Sequence, residues 1–445
     1  FIGEENIPLI RVINGSEEEN HYIIKKGDIW ELATPKNIAS FDYQDNDAEG
    51  LFFLTNFEAP NYRLVKILFT GEIIEIIPEK ELALKSVSFL EDFIITNSIN
   101  TDMNSMVEFY SKDGEFLDYK IPDDIEGTLS SFSMHKDKLR FSVSNFINPT
   151  RYIDLDLSTL DYTILWQDTV SNFNPADYKK TFTYYESKDG TMVPLTYFHR
   201  KDLEINTETP IFLYGYGGYN ISIRPSFSRK YVGWLELGGV VAIANLRGGG
   251  EFGKKWHNAG RLKEKQNVFD DFLYASKYLE ANDIGNRKST VISGRSNGGL
   301  LVGTSLVQNP NYFGATLPAV GVLDMLRFTE FTEGWGWRGD YGSPLINKED
   351  FDFNFDISPY HQLQEGVCYS PTLITTGRRD DRVVPSHSYK FTARIQEFQG
   401  CNNPVMLIDT VRAGHGSGGG AAMPKWKRIE LFTSEQAFAL KHVSS

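Results

Sequence analysis

Gly294-Arg295-Ser296-Asn297-Gly298 is the stretch on which the fold turns. It has the form G-x-S-x-G. An apolar run, Thr290 to Ser293, stands directly before it, and a helix-forming segment, Gly298 to Val307, directly after. A serine flanked by small residues at a strand-to-helix junction marks a strained turn that lifts a hydroxyl clear of a sheet. The pattern alone recurs by chance; the strand–turn–helix setting is what gives it meaning.

Outward from that turn, apolar strands alternate with helices. Strand candidates are Pro210 to Tyr214, Gly239 to Asn245, Ser289 to Ser293, Pro371 to Thr376 and Pro404 to Asp409. Between and after them lie helical segments at Gly298 to Val307, Ser386 to Phe398 and Trp426 to Lys441. A further helix is expected after Asn267 as N-cap, with Val268, Phe272, Ala275 and Leu279 on one face. Such alternation predicts an α/β fold with a mostly parallel, doubly wound sheet covered on both faces.

A serine hydroxyl is a weak nucleophile and needs a base and a group to orient that base. In this kind of fold the chain order is serine, acid, histidine. Three histidines follow Ser296: His387, His415 and His442. His387 opens a helix and His442 closes one, and both read as surface positions. His415 stands in Ala413-Gly414-His415-Gly416, a loop just past a strand, where open α/β sheets place their sites. His415 is therefore the expected base. Asp380 and Asp381 both follow the strand at Pro371 to Thr376 by a short turn, and spacing does not separate them. The oxyanion donors are expected from the backbone N–H of Asn297 and from the loop Tyr214-Gly215-Tyr216-Gly217-Gly218-Tyr219. Arg247-Gly248-Gly249-Gly250-Glu251 lacks the G-K-[ST] ending of a phosphate loop.

The first 170 or so residues follow another grammar: short alternating strands separated by turn-formers such as Lys112-Asp113-Gly114. Three segments echo one another, FFLTNFEAPNYRLVKI from Phe52, FIITNSINTDMNSMVEFY from Phe93 and FSVSNFINPTRYIDLDL from Phe141. They align on Asn56, Asn97 and Asn145. A strand hairpin repeated at that period predicts blades of an all-β propeller, with an irregular sandwich as the alternative. The change of grammar falls in Gln167 to Asp177, which sets residues 1–170 apart from 171–445.

Composition bounds the partners. Asp and Glu outnumber Lys and Arg, 59 to 45, for a net charge of −14. A nucleic acid or an anionic membrane as main partner would need a basic face, so neither is expected. No run approaches the roughly 18 apolar residues of a membrane span. The two cysteines, Cys368 and Cys401, read as free thiols in a reducing compartment, with one bridge between them as the alternative. There is no CxxC or HExxH, so no metal and no cofactor is expected. The chain starts at Phe1 without a signal-type run, which reads as a processed or truncated amino terminus.

The motifs YGYGGYNIS, NLRGGGEFGKKWH, SGRSNGGLL, VGVLDMLRF, DYG, DDRVVPSHSYKF and AGHG together resemble the prolyl oligopeptidase family of serine peptidases. The resemblance is continuous from about Asp177 to the end and looser upstream, where APNYRL at Ala59 to Leu64 matches. It implies an α/β-hydrolase domain preceded by part of a β-propeller of about four blades, in the C-terminal portion of a longer protein. It also implies an endopeptidase acting on short peptides after proline, a monomer when intact, in the cytoplasm or alternatively the periplasm. Ser296 matches the nucleophile, His415 the base and Asp380 the orienting acid. Asn297 and Tyr216 match the oxyanion donors, Arg382 a substrate-carbonyl ligand, and Trp337, Tyr341 and Val322 the proline pocket. Tyr219 falls where the family often has a pocket phenylalanine. The elbow reads SNGG rather than the SAGG of the basic-selective oligopeptidase B type. Arg378 and Arg379 depart from the family's usual Asp-His pair, adding positive charge beside Asp380. Competing readings are an acylaminoacyl peptidase or esterase on the same fold and a non-catalytic propeller-based binding protein.

Overall fold

A computed structural model describes residues 7–15, 19–416 and 423–443. Phe1, on which the reading of the amino terminus rests, lies outside them. The chain divides into two compact units, one of residues 1–173 with 224–228 and 250–256, the other of residues 174–223, 229–249 and 257–445.

The first unit is built of antiparallel sheets in chain order. Leu9–Ile13, Asn20–Lys26 and Ile29–Leu32 form a three-stranded sheet. Three four-stranded meanders follow: Phe41–Asn46 to Ile73–Ile77, Leu84–Phe89 to Phe116–Leu117, and Thr128–His135 to Tyr162–Gln167. The strand Gly50–Thr55 shows why they stack. Its side chains alternate between faces, and both faces are buried. Leu51 and Phe53 pack with Tyr22, Ile24 and Val65 toward the first sheet, while Phe52 packs with Ile94 and Tyr110 toward the third. Phe93, Ile95 and Phe109 of the third sheet then meet Leu139, Phe141 and Ile153 of the fourth. The second and third sheets are apolar on both sides because each has a neighbour on either side, which is the packing of propeller blades. The three echoing segments fall on the second and third strands of successive meanders. Their asparagines serve as side-chain ties: Asn56 accepts from the Ser40 N–H, Asn97 donates to Leu129 O and Asn145 to Glu126 O.

The second unit is one eight-stranded sheet. Its order is Tyr178–Glu186, Met192–Arg200, Val240–Ala244, Ile211–Tyr214, Thr290–Arg295, Ala315–Ala319, Thr372–Gly377 and Val405–Thr410. The first two strands pair antiparallel and the second pairs antiparallel with Val240–Ala244; all later pairings are parallel. Val240–Ala244 is wholly buried, as a strand covered on both faces must be. Ile211–Tyr214 lies between Val240–Ala244 and Thr290–Arg295, so chain progression reverses there, and the carboxyl ends of these strands form a switch-point crevice.

Three expectations are corrected. The helix expected to start at Asn267 is Gln266–Ala281, entered through a 3-10 turn at Leu262–Lys265. Asn267 lies inside it and donates to Ala259 O rather than capping. Val268, Phe272, Ala275 and Leu279 are fully buried on its core face.

His387 is not a surface residue but 1% exposed. Its Nδ1 accepts the Asp324 N–H at 3.1 Å, and its ring meets Phe331 edge-on. The helix start that looked exposed in sequence packs under the segment 324–331.

Cys368 and Cys401 form a disulfide, not two free thiols. The helix Ser386–Phe398 runs back along the strand Thr372–Gly377, bringing its end to the strand's start. Gly400 N–H then bonds Val367 O, and Gln399 Oε1 accepts the Tyr369 N–H. Their Cα atoms lie 5.1 Å apart, within bridging range, across 33 residues of sequence. The thiol ground for a reducing compartment falls away with it.

Candidate active site

Ser296 sits where Thr290–Arg295 gives way to the helix Asn297–Gln308. Its backbone stands at φ 58°, ψ −118°, a strained conformation for a residue with a Cβ. The Ser296 N–H donates to Ala319 O at 2.9 Å, which ties the turn to the next strand. A Cβ on Gly294 would lie 2.2 Å from Gly298 O, so the turn closes only with glycine there.

Ser296 opens into a cavity of about 100 Å³ lined by Tyr216, Tyr219, Ile221, Val322, Trp337, Tyr341, Arg382 and Val383. All the residues expected for the pocket are in this lining. Ile221 and Val383 were not expected; Val383 follows Arg382, Ile221 lies two residues past Tyr219, and neither carries a polar group to mark it. The pocket is an aromatic box. Trp337 lies parallel to Phe328 with ring centres 6.3 Å apart, and Tyr341 meets both Tyr219 and Phe328 edge-on at 5.6 and 5.4 Å. Trp337 is 6% exposed.

Tyr216 and Ser296 line the same cavity. Burial pushes the Tyr216 phenol well above the ordinary tyrosine range, with Tyr214 and Asp340 adding to the effect and Arg382 and Ser296 opposing it. Tyr216 therefore keeps its proton, as a hydrogen-bond donor must. The Asn297 side chain, to which the sequence assigned nothing, joins loop and pocket. Its Nδ2 donates to Tyr216 O at 2.5 Å and its Oδ1 accepts from the Tyr341 hydroxyl at 2.7 Å.

His415 Nδ1 lies 2.8 Å from Asp380 Oδ2. Asp380 is 2% exposed, and its other oxygen accepts the N–H groups of Arg382 (3.1 Å) and Val383 (2.9 Å). Asp381 is exposed. Of the two arginines just before Asp380, Arg378 is committed to Asp409, Nη2 to Oδ2 at 2.6 Å, and Arg379 is exposed. Arg382 is more than half exposed at the cavity, with Glu333 3.6 Å from its guanidinium.

A serine on a strained elbow, an Asp–His pair and a mostly parallel sheet together define the α/β-hydrolase class, here following a unit of propeller type. The comparisons narrow this class. The profile of the "Prolyl oligopeptidase family" matches residues 225–445, and that of its N-terminal β-propeller domain matches residues 6–168. The chain belongs to the prolyl oligopeptidase family. The prolyl endopeptidase of Elizabethkingia meningoseptica is 39% identical over 381 residues, covering 84% of this chain and 53% of that protein. That of Dictyostelium discoideum is 35% identical over 414 residues, covering 88% and 54%. A solved structure from a study of two prolyl endopeptidases superposes with a TM-score of 0.90 at 33% identity, over 98% of this chain and 64% of that one. The chain thus spans about half the length of the curated relatives it matches.

Proposed function

We propose that this chain carries out serine-type hydrolysis of short peptides on the carboxyl side of proline, through an acyl-enzyme. The observation that carries this reading is the cavity itself, in which Ser296, a protonated tyrosine hydroxyl and an apolar aromatic box face one space. A pyrrolidine ring has no polar handle, so a site that prefers it must do so by shape and stacking. The indole of Trp337 offers that face.

In the proposed cycle the Ser296 hydroxyl attacks the carbonyl carbon and passes its proton to His415. Asp380 holds the imidazole with Nδ1–H toward itself, leaving Nε2 free to take the proton. The negative charge gathering on the carbonyl oxygen is met by the Tyr216 hydroxyl and the Asn297 N–H. His415 returns its proton to the leaving amine, and water then repeats the sequence on the ester. Arg382 holds a further substrate carbonyl. The relatives named prolyl endopeptidase support the specificity, and the Asp380–His415 contact supports the roles. The Cys368–Cys401 bridge supports an oxidising compartment such as the periplasm over the cytoplasm.

The test is a fluorophosphonate probe with wild type and Ser296→Ala, followed by a matched set of chromogenic peptides with proline, alanine or arginine before the scissile bond. Labelling confined to Ser296 and a preference for proline are expected. Labelling without that preference would favour an acylaminoacyl peptidase or esterase.

A further inference from the structure

The segment Gly215–Tyr219 delivers both Tyr216 and Tyr219, yet it belongs to no helix or strand. Its backbone departs from regular geometry, with Gly217 at φ 63° and Tyr219 at φ 57°. On its apolar side it is packed without slack: a Cβ on Gly217 would lie 2.3 Å from Val268 Cγ1. On its polar side it is held at three nearby points. Asn297 takes Tyr216 O. The Lys265 ammonium donates to Gly217 O at 2.8 Å. Asp340 Oδ1 accepts the Tyr219 N–H at 2.9 Å.

Lys265 and Asp340 are both charged and both out of solvent, at 1% and 0% exposure. Neither lines the cavity. Asp340 Oδ1 also stands 3.4 Å from Nε2 of His257, itself 1% exposed. The Lys265 ammonium lies 5.4 Å from the centre of the Tyr341 ring, behind the pocket wall. Burial alone would raise the Asp340 carboxyl, but the His257 hydrogen bond and charge, Lys265 and the Tyr219 N–H outweigh it and hold it below the usual range. Burial lowers the Lys265 ammonium to about 8, with Asp340 pulling the other way. Isolated charges at such depth are strongly disfavoured. Here each is directed at one backbone group of the same five-residue segment, Lys265 at its middle residue and Asp340 at its last.

We propose that Lys265 and Asp340 are positioning residues, a buried pair of opposite charges that clamps Gly215–Tyr219 and so fixes where the Tyr216 hydroxyl meets the reacting carbonyl. The inference rests on the oxyanion role proposed for Tyr216. It extends that reading to two residues that touch neither substrate nor Ser296. Asp340 contributes through geometry, by the Tyr219 N–H, and through charge, by keeping the nearby phenol protonated.

The experiment is a double-mutant cycle on the full chain. Asp340→Asn and Lys265→Met are each made alone and in a Tyr216→Phe background, and assayed on a proline peptide and a small activated ester. Tyr216→Phe should lower kcat by roughly 100-fold, the scale of one lost oxyanion donor. Asp340→Asn and Lys265→Met should each lower kcat by roughly 10-fold or more on both substrates, since small misplacements are costly, with KM for the peptide changing less. In the Tyr216→Phe background each should cost under about 2-fold, because the group they position is gone. Full multiplication of the losses would overturn the proposal, since a merely structural defect acts independently of the hydroxyl. A chain that no longer melts cooperatively in both variants would overturn it too, by making the pair a requirement of folding. Lys265→Met carries the cycle by itself if only Asp340→Asn misfolds. Tyr216→Phe without loss would instead overturn the oxyanion reading, and this proposal with it.

Discussion

His415 and Asp380 meet through one oxygen of the carboxylate only: Oδ2 faces the imidazole at 2.8 Å, while Oδ1 is pinned by the N–H groups of Arg382 and Val383. This division of labour fixes the outcome of a conservative change. In Asp380→Asn the two N–H donors demand that the amide oxygen occupy the Oδ1 position, which turns the NH₂ group toward His415. The imidazole is then forced to accept at Nδ1 and to carry its proton on Nε2, the nitrogen that must act as base.

Asp380→Asn is therefore expected to lower kcat by several orders of magnitude, while Asp381→Asn changes it little. Steady-state kinetics of the two variants decides. A mild Asp380→Asn beside a severe Asp381→Asn would reverse the assignment.

Ser296 holds a positive φ at the elbow, and the strain belongs to the backbone rather than to the hydroxyl. Ser296→Ala and Ser296→Gly should both be inactive, but glycine relieves the strain and alanine does not. Ser296→Gly should be the more stable of the two by about 1 kcal/mol, read from paired denaturant titrations. Equal midpoints would show that the elbow is unstrained.

Trp337 closes the pocket against Phe328. Trp337→Ala should cost about 1–3 kcal/mol in kcat/KM toward proline peptides, and much less toward a small activated ester that leaves the pocket empty. An equal loss on both substrates would make Trp337 a support of the fold.

Burial lowers the His387 imidazole to about 4, with Asp324 opposing and Lys390 adding to the effect. The folded chain keeps this ring neutral down to about pH 4, whereas the unfolded chain protonates it near 6.5. In that window the unfolded state binds more protons, so its stabilising contribution, complete above 6.5, is lost as the pH falls. The slope is at most about 1.4 kcal/mol per pH unit. His387→Asn keeps an acceptor for the Asp324 N–H and cannot titrate there. Its stability between pH 6.5 and 4 should fall less steeply than that of wild type in urea titrations. Parallel slopes would assign the titration to other groups.

The elbow, the alternation of strands and helices and the blade-like repeat were legible because each is a local pattern. Turn chemistry needs particular small residues at fixed positions, and apolar periodicity reports which face is covered. The place of His415 just past a strand was legible by the same logic. Asp380 and Asp381 were not separable by spacing, since both follow the same strand by one short turn. Only the fold buries one and leaves the other in water.

What the sequence determined by itself was the alternation of strands and helices, though not the strands Tyr178–Glu186, Met192–Arg200 and Ala315–Ala319, and the order of the candidate catalytic groups, because helix, strand and elbow are dictated by residues within a few positions of one another. What the tertiary structure alone decided were the relationships between segments distant in sequence. The helix that returns Cys401 to Cys368, the burial of His387 beneath Phe331, the bridge from the Asn297 side chain to Tyr341 and the grip of Lys265 and Asp340 on one loop are all of this kind. None leaves a local trace, since a buried charge and a solvated one are the same letter. Their partners are chosen by which surfaces the sheet brings together, and that choice is made only when the whole unit packs.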